Sequence, residues 1–148
     1  MRKILLSFMM ILSFSFFAGC AQTQVDLTPR ISDPHVLVEN PSLYDWLELE
    51  KVNYFKREDG LIVVEAKFKS LSQFNQNVAY KIDWMDKNGF TQKSILSRWI
   101  VSEVEQRRSF IIRGIAPSIK ITDFEIRLQV PTSDDKQRKD SYHNQYQN

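Results

Sequence analysis

Three stretches of this chain alternate apolar and polar residues with a period of two. Ile62, Val64, Ala66 and Phe68 are interleaved with Val63, Glu65, Lys67 and Lys69. Val78, Tyr80, Ile82 and Trp84 are interleaved with Lys81 and Asp83. Phe124, Ile126, Leu128 and Val130 are interleaved with Glu125, Arg127 and Gln129. Successive side chains of a β-strand point to opposite faces, so each stretch predicts a strand with one buried and one wet face. That pattern belongs to antiparallel sheets packed on one side only.

The punctuation between these stretches adds further strands. His35–Asn40 predicts a short first strand, stopped by Pro41. Leu47–Arg57 changes parity near Lys51, which predicts a bulged strand; a helix over Leu43–Lys51 is the weaker alternative. Arg57-Glu58-Asp59-Gly60 is a turn, and Ser70–Asn77 a polar loop. Asp86-Lys87-Asn88-Gly89 closes a hairpin in one of two ways. Asp86 and Gly89 suit a type I turn followed by a left-handed glycine. Asn88-Gly89 suits a tighter two-residue turn. The tighter turn pairs Ile82 with Ile95 and Val78 with Trp99, and is preferred on that ground. Phe90–Ile100 then returns as a strand, Val101–Arg107 is a polar connection, and Arg108–Ile115 is a strand ended by Ala116-Pro117. Ile119–Val130 closes the domain. The sum is an all-β protein, an immunoglobulin-like antiparallel β-sandwich of about seven strands. It lacks the Cys…Trp…Cys framework of antibody domains.

The two ends differ from this body. Arg2 and Lys3 precede an apolar run, Ile4–Phe17, and the small residues Ala18 and Gly19. These are the parts of a secretory signal peptide covering residues 1–19, too short for a confident membrane span of about 20 residues. Phe17-Ala18-Gly19-Cys20 resembles the lipobox of bacterial lipoproteins, with Phe where Leu is common. The resemblance implies cleavage before Cys20 and lipidation of its thiol. Two or three acyl chains hold a domain at a membrane where one binds only reversibly. Ala21, in place of an Asp, implies the outer membrane by analogy with enteric bacteria. Residues 20–34, polar with Pro29 and Pro34, predict a lipidated tether. The folded domain is expected over 35–131. Residues 132–148 contain no aliphatic side chain and predict a disordered polar tail.

Charge and cysteine exclude several function classes. The whole chain carries 20 Lys and Arg against 18 Asp and Glu. Loss of Arg2 and Lys3 with the signal leaves 18 against 18, so the mature protein is near neutral and no nucleic-acid partner is expected. Cys20 is the only cysteine. Once it carries lipid, no thiol remains for a disulfide, a thiolate zinc site or a nucleophile.

Few residues offer chemistry. His35 and His143 are the two histidines and read as solvated groups rather than metal ligands; no metal or cofactor is expected. Four glycines, Gly19, Gly60, Gly89 and Gly114, supply no phosphate-binding loop. Asp83 and Asp86 flank Trp84 and suggest a glycosidase carboxylate pair, but their parities differ and Asp86 suits a turn cap. Trp84 and Trp99 are expected in the core. Trp46 is left as a candidate for binding a glycan or a partner, and Arg98 and Arg113, with Arg107 and Arg108, as candidates for an anionic ligand. Tyr142 and Tyr146 in the tail are a further possible recognition element.

Tyr80-Lys81-Ile82-Asp83-Trp84-Met85-Asp86, followed by Gly89, resembles the central signature of the YcfL-like small bacterial lipoproteins. Trp99, Ser109-Phe110, Ala116-Pro117 and Phe124-Glu125-Ile126-Arg127-Leu128 extend the likeness over about Leu61–Val130. The resemblance implies a β-sandwich tethered to the cell envelope, with no catalytic residues to carry over, and a contextual link to cell-wall assembly. The expectation is a non-enzymatic lipoprotein with an envelope-protein or cell-wall partner. A glycan- or lipid-acting enzyme and a small-ligand carrier are the alternatives.

Overall fold

A computed structural model describes residues 30–136 of the chain. Its strands are β1 (Val36–Val38), β2 (Leu47–Lys56), β3 (Ile62–Ser70), β4 (Gln76–Asp86), β5 (Thr91–Gln92), β6 (Ile100–Val104), β7 (Ser109–Ile115) and β8 (Ile121–Gln129). Two short 3-10 turns, Pro41–Asp45 and Ile95–Ser97, interrupt them. One sheet runs β1-β8-β4, with β5 and β6 sharing the far side of β4; the other runs β2-β3-β7.

The sandwich expected from the alternation is the architecture observed. Val78, Ile82 and Trp84 of β4 and Phe124, Ile126 and Leu128 of β8 are buried against Val64, Ala66 and Phe68 of β3 and Ile112 of β7. Their neighbours of opposite parity remain partly or fully exposed, apart from Ala79. Burial of each large apolar side chain contributes about 1.5–3 kcal/mol. The rings form two groups: Trp84 lies 6.2 Å from Phe124, and Phe110 lies 5.8 Å from Tyr80 and 6.4 Å from Phe68.

The bulge expected near Lys51 is present, with the β2–β3 register shifting between Leu49 and Lys51. The helix alternative fails because only Pro41–Asp45 turns, and β2 runs on from Leu47. Arg57–Gly60 is the expected turn, with the Gly60 N–H donating to Arg57 O at 2.9 Å and φ at +84°.

Five expectations need correction. The hairpin after β4 is the wider turn. Gly89 N–H donates to Asp86 O and Asp86 N–H to Phe90 O, while the Asp86 carboxylate accepts from the Asn88 and Phe90 amides. Gly89 takes φ +81°, open to glycine without steric cost. Pairing of Ile82 with Ile95 does not occur; Trp84 faces Gln92 instead. Second, the return strand breaks after two residues. Ser94 caps a 3-10 turn, its hydroxyl accepting from Leu96 N–H, and this local bond competes with the ladder. Third, the polar connection is a strand: β6 pairs Ile100 with Tyr80 and Ser102 with Val78. Fourth, the sandwich is not wholly antiparallel. β1 runs parallel to β8, Val36 beside Ile126. Fifth, the folded part extends beyond both expected limits. Ile31 is in the core, and Arg30 O accepts from Leu49 N–H. Beyond Pro131, residues 133–136 form one helical turn, pinned by buried Asp135, which accepts from Gln129 and Thr132. The signal peptide, Cys20, most of the tether and residues 137–148 lie outside the described residues.

Candidate interaction surface

The candidate residues do not converge on a cleft. Trp46 is half-buried, packed against the core beside the first 3-10 turn, so it offers no exposed platform. Trp84 is fully buried, as expected. Trp99 is not in the core. It lies half-buried on the outer face of the β1-β8-β4 sheet, where the Lys81 ammonium sits 5.3 Å from its ring centre, within cation–π range. Arg113 donates to Glu65 at 2.7 Å and Arg108 to Glu105 at 3.1 Å. Arg98 is exposed where the second 3-10 turn ends. The arginines are spread over a sheet face, a turn and an edge rather than gathered into one patch. Cys20, His143, Tyr142 and Tyr146 lie outside the described residues.

The carboxylates have structural partners. Asp83 pairs with Lys81 at 2.8 Å and lies 3.9 Å from Arg127, whose guanidinium also reaches Glu39 at 2.8 Å and Glu125 at 3.4 Å. Asp86 caps its turn. The Glu50 carboxyl is held below its ordinary range, first by the hydrogen bond from Lys67. His35 is packed rather than solvated. Its ring stacks on Phe124 at 4.6 Å with Tyr54 at 5.2 Å, and its nitrogens lie 3.3 Å from Asp33 and 3.6 Å from Asp123. No group of three or more His, Cys, Asp or Glu suited to a metal occurs among the described residues.

What the fold leaves uncovered is apolar. On the outer face of the β2-β3-β7 sheet, Phe55 faces Val63, and Val63 faces Ile115. Phe55 is 60% exposed and Ile115 49%. The row ends at the β2–β3 turn, where Ile119, 64% exposed, lies against Gly60. Phe90 is exposed in the β4–β5 turn at the same end of the sandwich. A sequence signal for this row existed. Tyr54-Phe55 and Val63-Val64 put apolar residues on both parities of strands with one buried face.

The class defined by this fold is a two-sheet β-sandwich with packed layers and a surface apolar row. Residues 34–130 match the family described as "Protein of unknown function (DUF1425)", and the chain belongs to that family. The chain is similar to the structure titled "Crystal structure of Campylobacter jejuni cj0090", at 21% identity and a TM-score of 0.53, over 67% of this chain and all of that one. It is also similar to a DUF1425 family member from Shewanella sp. pv-4, at 20% identity and a TM-score of 0.52, over 59% of this chain and 80% of that one. At these identities the likeness speaks for the fold. No curated protein matches the chain.

Proposed function

We propose that the protein is a non-enzymatic lipoprotein of the bacterial envelope, anchored through lipid on Cys20, whose sandwich docks another envelope protein. The observation that carries the docking role is the outer-face apolar row Phe55–Val63–Ile115 with Ile119, in which Phe55, Ile115 and Ile119 are exposed and Val63 is half-buried between them. Contiguous exposed apolar surface is characteristic of interaction sites. The anchor reading rests on the signal, the lipobox-like Phe17–Cys20 and the polar tether. It places the protein on the outer membrane facing the periplasm and agrees with the likeness to the YcfL-like lipoproteins and their contextual link to cell-wall assembly. The core argues against the small-ligand carrier, because Trp84, Phe68, Ile82 and Ile126 fill the space between the sheets. The enzyme alternative loses its motive with Asp83 and Asp86 engaged as ion-pair partner and turn cap.

Two measurements test the reading. Palmitate labelling of cells should mark the protein, and Cys20→Ser should abolish the label and release the protein from membranes. In-cell photocrosslinking from position 119 should capture an envelope protein, and Phe55→Ser should reduce that product several-fold. A label retained without Cys20 would remove the anchor. The absence of any envelope-protein crosslink would remove the docking role.

A further inference from the structure

The four sheet edges of the sandwich are not alike. β1 is three residues long. β2 carries a bulge, and Lys51 and Lys56 are exposed on it. The edge beyond β4 is broken into β5 and β6 by the Ile95–Ser97 turn. Short length, bulges, lysines and interruptions are the devices by which proteins blunt open edges. β7 has none of them. It is seven residues, Ser109–Ile115, without proline, lysine or bulge, in unbroken register with β3 from Val63–Ile115 to Lys69–Ser109.

The phase of its hydrogen bonds says which groups are open. Ser70 N–H donates to Arg108 O at 2.9 Å, and Ala116 N–H donates to Ile62 O at 2.8 Å. The even-numbered residues of β7 therefore spend their backbone groups on β3, because bonded pairs alternate along an antiparallel ladder. Ser109, Ile111, Arg113 and Ile115 direct N–H and C=O away from β3, and among the described residues no strand lies on that side of β7.

We propose that a second copy of this chain pairs here, β7 against β7, antiparallel about a two-fold axis at Ile111. Only registers that bond odd-numbered residues to odd-numbered ones fit the open edge. An axis at Arg113 sets two guanidinium groups face to face, which is destabilising. An axis at Ile112 sets Ile111 against the partner's Arg113. An axis at Ile111 sets Ile111 against the partner's Ile111, Phe110 beside the partner's Ile112, and Ser109 against the partner's Arg113. Apolar then meets apolar on both faces, and each guanidinium faces a hydroxyl. Three bonded pairs supply about six backbone hydrogen bonds and join the two sheets into one, β2-β3-β7-β7-β3-β2. An isologous contact of this kind closes after two copies. Its area is that of a single strand pair, below the roughly 1,600 Å² of a standard interface, so the dimer is weak in dilute solution.

The test is photocrosslinking of the full chain in cells, with p-benzoylphenylalanine at Arg107, which lies outside the apolar row and which the proposed register brings beside the partner's Ile115. The expected product has twice the monomer mass, contains peptides of this chain alone, and is joined near Ile115. Ile111→Lys puts two ammonium groups at the axis and should cut the yield at least tenfold, with an unchanged thermal midpoint showing that the monomer remains folded. Ser109→Glu places a carboxylate opposite the partner's Arg113 and should raise the yield. A product with a different protein, no dimeric product, or a yield indifferent to both substitutions would overturn the proposal. The docking role can fail at position 119 while this one stands at 107, since Arg107 lies in the β6–β7 turn, at the opposite end of β7 from the apolar row.

Discussion

Gly114 shows how closely one position can be specified. It sits on β7 facing inward, and a Cβ there would lie 2.6 Å from Ile82 Cδ1, 2.9 Å from Leu96 Cδ1 and 3.1 Å from the Trp84 ring. The contact joins three segments far apart in sequence, so sequence alone shows a glycine in a strand and no reason for it. Packed interiors do not absorb an added methyl cheaply. Gly114→Ala should destabilise the fold by about 1–3 kcal/mol, read as a lowered urea midpoint. Leu96→Ala in the same chain should recover part of the loss, because it vacates one of the three obstructions. Trp84 illustrates the opposite case. Its parity alone indicated burial, since every inward position of β4 faces the other sheet. Trp99 had no such neighbours to decide it. It ended on the outer face because the chain leaves the ladder between Gln92 and Ile100.

Among the elements, those with strict alternation formed as expected, and those joined by turns did not always do so. The β4–β5 turn was decided by Asp86, whose carboxylate accepts from two amides of the wider turn. Cross-strand pairing of Ile82 with Ile95 was the competing attraction, and the local hydrogen bonds outweighed it. The helical turn after Pro131 is a second such element. Asp135 is 5% exposed and accepts from Gln129 Nε2, Thr132 N–H and Thr132 Oγ1 at 2.7–3.0 Å. Asp135→Ala leaves these donors without their acceptor and should cost about 1–3 kcal/mol, measured by chemical denaturation. Composition suggested no order here, because a single buried carboxylate with satisfied bonds leaves no hydrophobic signature.

For the whole molecule, the two sheets enclose one core, and Tyr80 at its margin is an alkaline liability. Burial raises the Tyr80 phenol above its ordinary value of 10.0, because the ionised form is the one that desolvation penalises. The unfolded chain therefore releases this proton first. The Tyr80 contribution to stability is complete below about pH 10 and is lost as pH rises through the higher folded value. Tyr80→Phe should remove that part of the alkaline loss, seen as a smaller fall in melting temperature above pH 10 than in the parent protein. The sequence by itself determined that the chain is all-β, which faces of β3, β4 and β8 are buried, where Arg57–Gly60 turns and where β2 bulges. Each of these follows from residues near one another in the chain, through side-chain alternation and turn chemistry. Only the tertiary structure decided that β1 runs parallel to β8, that β6 is a strand, that Asp83 and His35 are held by partners, and that Phe55, Val63 and Ile115 line up as one apolar row on the outer face. Those features depend on which strands become neighbours, and strand order is set by packing between segments far apart in sequence.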